Sequence, residues 1–352
     1  MNKANFLQTS RVKWSKQAGF SLVELMISVL LGFILIMGVT EIYVNSKGTY
    51  RMTEEMTRLQ ENARIAFEML APEVRMAGYT GCANINTANE EVIAKPPGAG
   101  KPPIVFTGPE DSITGNEGGS SSWAPTLNST LAGLTHPPLP NTDVVTIQSS
   151  VSCGGSLVDP MSLPDDPVKI SASNTCKLVE DAVLIISDCS HTTVFRTDSI
   201  SNEVTHPATK NTSASFQKNY KEDAEIYKSK NASYYIATGA GGHPALWQLD
   251  NGSDNPLELV EGVENMQITY GVDTSATADG VVDRYVEADA IPVGGHDWDR
   301  VIITRLSLLL RSIEPVRTDS QSYIFAGITT TDKYLRQEYT TTIQLRNRGL
   351  QP

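Results

Sequence analysis

Polar and apolar positions divide the start of this chain into two helical regimes. Leu25 to Val39 is an apolar run of 15 residues, about 22 Å of helix at 1.5 Å per residue. Adding Phe20 to Glu24 brings it near 30 Å, roughly the thickness of a bilayer core. Beyond it, Met52, Met56, Leu59, Ala63, Phe67, Leu70 and Val74 recur at spacings of three or four, the signature of an amphipathic helix. The two stretches read as one helix from Phe20 to about Ala77, with a break expected between Asn45 and Tyr50. Pro72 should kink or loosen the last turns, and Gly78 should stop them.

The remainder alternates in the manner of strands. Asp143 to Gln148, Ala182 to Ser187, Thr192 to Arg196, Ser233 to Ala237, Ala245 to Leu249, Val263 to Val272, Arg300 to Ser312 and Thr340 to Arg346 carry β-branched and aromatic residues between turn signals. No strand–helix alternation accompanies them. An antiparallel sheet laid on the second half of the helix is therefore expected, giving an α+β fold with one globular domain from residue 45 to 352. Residues 84 to 141 are rich in Pro, Gly, Ser, Thr and Asn and read as long surface loops, disordered or holding a partner surface.

What flanks the apolar run decides its meaning. Its far end, Gly38-Val39-Thr40-Glu41, lacks the small-residue pattern at which a secretory signal is cut. Before it lies a leader holding Lys3, Arg11, Lys13 and Lys16 and no acid, ending at Gly19-Phe20. Cleavage after Gly19 would discard the leader and keep the greasy helix as the new N-terminus. The positive-inside rule holds such a leader in the cytoplasm and sends the bulk outward. Glu24 lies within the apolar segment, where a carboxylate costs about 2.5 to 3.5 kcal/mol by insertion scales and so needs a partner or a function.

Gly19, Phe20, the apolar run and Glu24 as fifth residue after the cut resemble the class III leader of type IV prepilins and type II secretion pseudopilins. The stretch Arg58-Leu-Gln-Glu-Asn-Ala-Arg-Ile-Ala-Phe-Glu-Met-Leu-Ala-Pro-Glu-Val-Arg-Met-Ala-Gly-Tyr-Thr-Gly-Cys82, joined to the later Trp298-to-Arg311 segment, is similar to the PilW family of minor pilins. The resemblance implies processing by prepilin peptidase between Gly19 and Phe20 with methylation of Phe20. It also implies that Glu24 pairs with a neighbouring pilin's N-terminus. The expected function is a structural subunit that primes pilus assembly at or near the tip. Its implied partners are other minor pilins, the major pilin, the inner-membrane assembly platform and a tip adhesin. A J-type secretion pseudopilin and a pilus-anchored adhesin are the alternatives. Major pilins usually carry a Pro near the end of the apolar segment, where this chain has Glu41.

Charge and chemistry narrow the function further. Loss of the four leader cations takes the net charge from −12 to −16, which disfavours a polyanion, so no direct nucleic-acid partner is expected. Cys82, Cys153, Cys176 and Cys189 fall outside the cytoplasm in this topology, where disulfides persist. Three connectivities exist for four cysteines; Cys176 with Cys189, which bracket one strand, is preferred, leaving Cys82 with Cys153. Asp273, Asp279, Gly280 and Asp283 suggest a calcium loop, but with Gly280 at position six Val286 stands where the bidentate Glu belongs. A polar hairpin turn is the better reading, and no metal is expected. His136, His191, His206, His243 and His296 are scattered and lack an HExxH or nucleophile-elbow context. Asp188-Cys189 beside His191 reads as a bridge rather than a thiol nucleophile. Gly239 to Gly242 lacks a following Lys-Ser or Lys-Thr and reads as a turn. No catalytic residue and no cofactor are expected.

Overall fold

The computed structural model describes residues 19–82, 89–95, 112–198, 201–250, 255–291 and 298–347. Its long helix α1 is Leu22–Arg75, and the chain divides into two compact units, Met1–Thr53 and Glu54–Pro352.

In the first unit every described residue is exposed except half-buried Gly32. Apolar side chains with no protein cover require an apolar surrounding, and the helix is long and apolar enough to cross a membrane. Its hydroxyls suit that setting. Ser28 Oγ donates to the Glu24 carbonyl and Thr40 Oγ1 to the Ile36 carbonyl, both at 2.7 Å. Neither brings an unpaired donor into a nonpolar phase. The break expected between Asn45 and Tyr50 does not occur, because helix runs through it. Thr49 Oγ1 donates to the Asn45 carbonyl, no proline interrupts the segment, and Gly48 costs only about 1 kcal/mol relative to Ala.

The second unit begins with the amphipathic turns of α1 and continues, among the described residues, through seventeen strands. These are β1 Asn89–Val92, β2 Ile113–Gly118, β3 Trp123–Ala124, then the short α2 Ser129–Ala132, β4 Val144–Ser156, β5 Val168–Lys169, β6 Val183–Ser187 and β7 His191–Arg196. They continue as β8 Glu203–Val204, β9 Glu225–Thr238, β10 Pro244–Asp250, β11 Pro256–Glu261, β12 Val263–Val272, β13 Arg284–Val286, β14 Val301–Arg311, β15 Gln321–Phe325, β16 Ile328–Asp332 and β17 Arg336–Gln344.

A nine-stranded sheet runs β1-β7-β6-β9-β4-β2-β3, with β10 paired to β9 and β11 to β10; a second sheet runs β13-β12-β14-β17. Pairings among the described strands are antiparallel, except that β1 lies parallel to β7. Leu59, Ala63, Ala66, Leu70 and Val74 of α1 are buried against Val145 and Ile147 of β4, Tyr234 and Ile236 of β9, Ile268 of β12 and Leu306 and Leu308 of β14. The helix stripe and both sheets thus share one core. A separate core holds Leu157, Met161, Val168, Leu184, Phe195, Phe216 and Tyr220 around Cys153 and Cys176.

All eight strands expected from the alternation are present, most of them longer than expected. The segment 84–141 departs from its reading as surface loops. Among its described residues β2 pairs with β4 inside the large sheet, and Ile113 and Leu131 are fully buried. Trp123 Nε1 donates to the Thr142 carbonyl at 2.9 Å, and Asn128 caps α2 by accepting from the Leu131 N–H. The glycines that suggested a loop mark close approach instead. A Cβ on Gly115 would lie 2.1 Å from the Tyr270 hydroxyl, and one on Gly118 would lie 2.1 Å from the Thr142 carbonyl oxygen. Residues 83–88 and 96–111, which include most of the Lys95-to-Pro103 stretch, fall outside the described residues.

Candidate functional site

The N-terminal candidates sit where α1 starts. Gly19, Phe20 and Ser21 precede the helix, whose first turn contains Glu24, and the Leu25 N–H donates to the Ser21 carbonyl at 3.1 Å. Phe20 is 79% exposed. A Cβ at Gly19 would meet nothing within 4 Å, so the fold itself places no demand for glycine there. The rest of the leader lies outside the described residues.

At its other end α1 is locked by the motif that closes it. The helix ends at Arg75, three residues after Pro72. The last carbonyls of a helix lack intrahelical partners, and the C-terminal segment supplies two: the Arg346 N–H donates to the Arg75 carbonyl and Asn347 Nδ2 to the Ala77 carbonyl, both at 3.1 Å. Gly78, at φ 75°, turns the chain so that its N–H reaches the Gln148 carbonyl of β4 at 2.8 Å. Tyr79 packs edge-on against Tyr227 at 5.7 Å between ring centroids. Glu73 forms an ion pair with Lys230 of β9. Glu73, Gly78 and Tyr79 thus fasten the end of the helix to the large sheet, and the Arg75 and Ala77 carbonyls fasten it to the segment after β17.

The motif's last residue is disulfide-bonded, but not as expected from sequence. Cys82 bonds Cys189 and Cys153 bonds Cys176. The expected Cys176–Cys189 bond fails because the strand they bracket holds them apart. Five extended residues of β6 span about 16 Å, whereas bridged Cα atoms lie within about 7 Å. Cys153, on β4, instead meets Cys176 through the Thr175 N–H, which donates to the Cys153 carbonyl at 2.9 Å. Cys82–Cys189 is exposed and ties the end of the motif to the β6–β7 turn, whereas Cys153–Cys176 is buried in the second core.

The other constellations resolve into structure. Asp273 Oδ2 accepts from the N–H groups of Asp279 and Gly280, and Asp283 Oδ2 accepts from the N–H and hydroxyl of Thr274. These carboxylates brace the hairpin between β12 and β13. Asp188 Oδ1 accepts from the N–H groups of Ser190 and His191, while Lys218 pairs with Oδ2. Burial alone would raise the Asp188 carboxyl; these donors outweigh it and hold it at about 2. His206 is buried, stacked on Phe216 at 4.1 Å, with Nε2 at 3.0 Å from the Asp166 carbonyl oxygen. His136 stacks on Trp247 at 4.7 Å, and His296 falls outside the described residues. Gly239 to Gly242 form the β9–β10 turn, in which the Ala240 N–H donates to Glu258.

Two features had no signal in the sequence. The Arg336 side chain is 3% exposed and donates through Nε and one terminal nitrogen to both oxygens of Glu264 and through both terminal nitrogens to Asp332. Burial works against that charge, but Asp332 and Glu264 more than compensate and hold it firmly protonated. The other feature is a pair of carboxyl groups, Glu117 and Asp143. Burial first, then Asp143 and Glu287, push Glu117 up to about 8. Burial also pushes Asp143 up, against the N–H groups of Gly118 and Ile268. Both residues come from segments whose partners lie far away in sequence.

Comparison with known proteins bears on the two ends of the chain. A family model described as prokaryotic N-terminal methylation motif matches residues 14–40, and one described as type IV pilus-assembly protein W matches residues 233–347. The first range holds Gly19, Phe20 and Glu24. The second runs from β9 through β17 and includes the Trp298-to-Arg311 segment, whereas the Arg58-to-Cys82 motif lies in neither. A type IV-like pilin from Thermus thermophilus is a similar solved structure, 11% identical, with 83% of this chain and 99% of that chain covered and a TM-score of 0.34. No curated protein matches. The chain is thus similar to the prokaryotic N-terminal methylation motif at one end and to type IV pilus-assembly protein W over its last third.

Proposed function

We propose that this chain is a minor pilin whose mature form begins at Phe20 and which helps start pilus assembly, close to the tip, together with other minor pilins. The observation that carries the reading is the bare apolar helix of the first unit, headed by Gly19-Phe20 and carrying one acid in its first turn. Such a helix is stable only in lipid or among other apolar helices. A bilayer suits it before assembly and a filament core after it. Since the fold places no demand for glycine at position 19, its use is assigned to close approach by the peptidase. The leader is retained in the cytoplasm and the folded unit exported, with its disulfides formed outside.

In this reading the major pilin adds beneath the subunit, the inner-membrane platform drives the addition, and a tip adhesin is a further partner. The chain acts as the substrate of a processing enzyme and performs no catalysis itself. The deciding experiment joins N-terminal sequencing of the membrane-extracted protein to pilus counts in a strain lacking the gene. A methylated Phe20 terminus and loss of surface pili are expected. A mature chain starting elsewhere removes the processing assignment. Normal pili with failed protein secretion would make it a secretion pseudopilin.

A further inference from the structure

Strand β2 is held to the rest of its unit through two acidic side chains. Asp143 is 2% exposed. Its Oδ1 accepts from the Gly118 N–H at 2.9 Å and its Oδ2 from the Ile268 N–H at 2.8 Å. One carboxylate therefore joins β2 of the large sheet to β12 of the second sheet. The Asp143 N–H donates to the Met266 carbonyl at 2.9 Å, also on β12. With donors facing both oxygens, Asp143 has the surroundings of an ionised acid.

Glu117 lies beside it under the opposite conditions. Glu117 directly precedes Gly118, whose N–H is held by Asp143 Oδ1, so the two acids act on each other; a hydrogen bond between two carboxyl groups requires that one keep a proton, because ionised carboxylates accept and never donate. The Oε2 atom of Glu117 is buried without a partner. Asp143, Glu287 and Asp289 are the charged groups that act on it, all acidic, and only the Ala288 backbone group favours its ionised form. On β12, Tyr270 is 1% exposed with its hydroxyl unpartnered. That hydroxyl sits against Gly115, two residues from Glu117 and so on the same face of β2. Tyr270 feels the charges of both Asp143 and Glu117. On the β3 side, Glu117 is paired in register with Ala124, which carries no charge.

We propose that Glu117 and Asp143 hold one proton between them, and that this shared proton clasps the strap of residues 112–143 to the two sheets and is released as the surroundings turn alkaline. Losing it sets two negative charges side by side in a buried, acid-lined space, and the relief available is for the strap to lift and let water in. The sign follows from the direction of the shift. Folded Glu117 keeps its proton to about 8, well above the ordinary glutamate value of about 4. Between those limits the closed strap binds a proton that the open strap has lost, so closure weakens as pH rises. The opening equilibrium should then grow about tenfold per pH unit across that window and level off above it.

Hydrogen exchange by mass spectrometry on the full, disulfide-intact chain in detergent tests this. Rates for peptides from 112–118 and 139–147, corrected for the intrinsic pH dependence, should rise about tenfold per unit between pH 6.5 and 7.5, above the range in which Asp143 also takes up a proton. Peptides from the second core should not follow them. Glu117→Gln, which mimics the protonated acid, should abolish the slope. A flat wild-type profile, or the same slope in the variant, overturns the proposal. Should the variant fail to fold, infrared spectroscopy of the wild type decides. A protonated carboxyl band that persists at pH 7 and fades near pH 8 supports the clasp, and its absence at pH 7 overturns it.

Discussion

The hydroxyl of Tyr270 occupies the space that a side chain on Gly115 would need, 2.1 Å from where its Cβ would stand. That separation is well inside any van der Waals contact, and Tyr270 has little room to retreat because its ring also packs edge-on against Trp298 at 4.9 Å. Gly115→Ala should therefore force β2 away from β12. Overpacking of this kind typically costs about 1–3 kcal/mol. Chemical denaturation should show a lower midpoint for this variant, whereas Gly155→Ala, at an open position, serves as a comparison whose cost comes only from its backbone angle.

Arg336 links β17 to Glu264 at the start of β12 and to Asp332 of β16. Its side chain is almost fully buried, so removing either end strands a charge. Glu264→Gln still leaves Asp332 as counter-ion, whereas Arg336→Met leaves two carboxylates with Arg311, 3.6 Å from Glu264, as their remaining cation. Breaking a buried ion pair from one side costs about 3–5 kcal/mol. The Arg336 variant should fall at the upper end of that range and the Glu264 variant below it, as measured by urea unfolding.

Non-reducing peptide mapping should recover Cys82 linked to Cys189 and Cys153 linked to Cys176, with no free thiol. A Cys82–Cys153 peptide would contradict the arrangement. The two bonds close loops of different size, with sequence separations of 107 and 23 residues. By chain entropy alone, the longer should contribute about 1 to 1.5 kcal/mol more. Because the Cys82–Cys189 pair is exposed, it should also be reduced first when dithiothreitol is titrated into the native protein.

Glu24→Ala should leave membrane insertion and cleavage intact, since removing a charge from the bilayer makes insertion easier. The loss should appear at assembly. A neighbouring subunit's amine left without its acid in an apolar core costs about 3–5 kcal/mol, enough to reduce docking by two to three decades. Surface pili and the protein in sheared filaments are counted in a strain lacking the native copy. Normal piliation with normal incorporation would make Glu24 a bystander.

Local pattern was enough to specify α1 and the eight main strands, because periodicity of 3.6 or 2 reports directly on which face is buried. The candidate roles of Gly19, Phe20 and Glu24 are read in the same local way, from their spacing along one segment. The Gly and Asn of β2 have no apolar alternation, so its place in the sheet depends on backbone pairing with β4 and on the groove beneath Tyr270. The cysteine pairing was hidden for a related reason. Proximity in sequence favoured Cys176 with Cys189, but an intervening extended strand separates its ends, and only the packing of α1 on the sheet carries Cys82 to the β6–β7 turn. The Glu117–Asp143 contact and the Arg336 cluster likewise join residues 26 and 72 positions apart. Burial of like and unlike charges together is set by the whole fold, and no local window of sequence contains it.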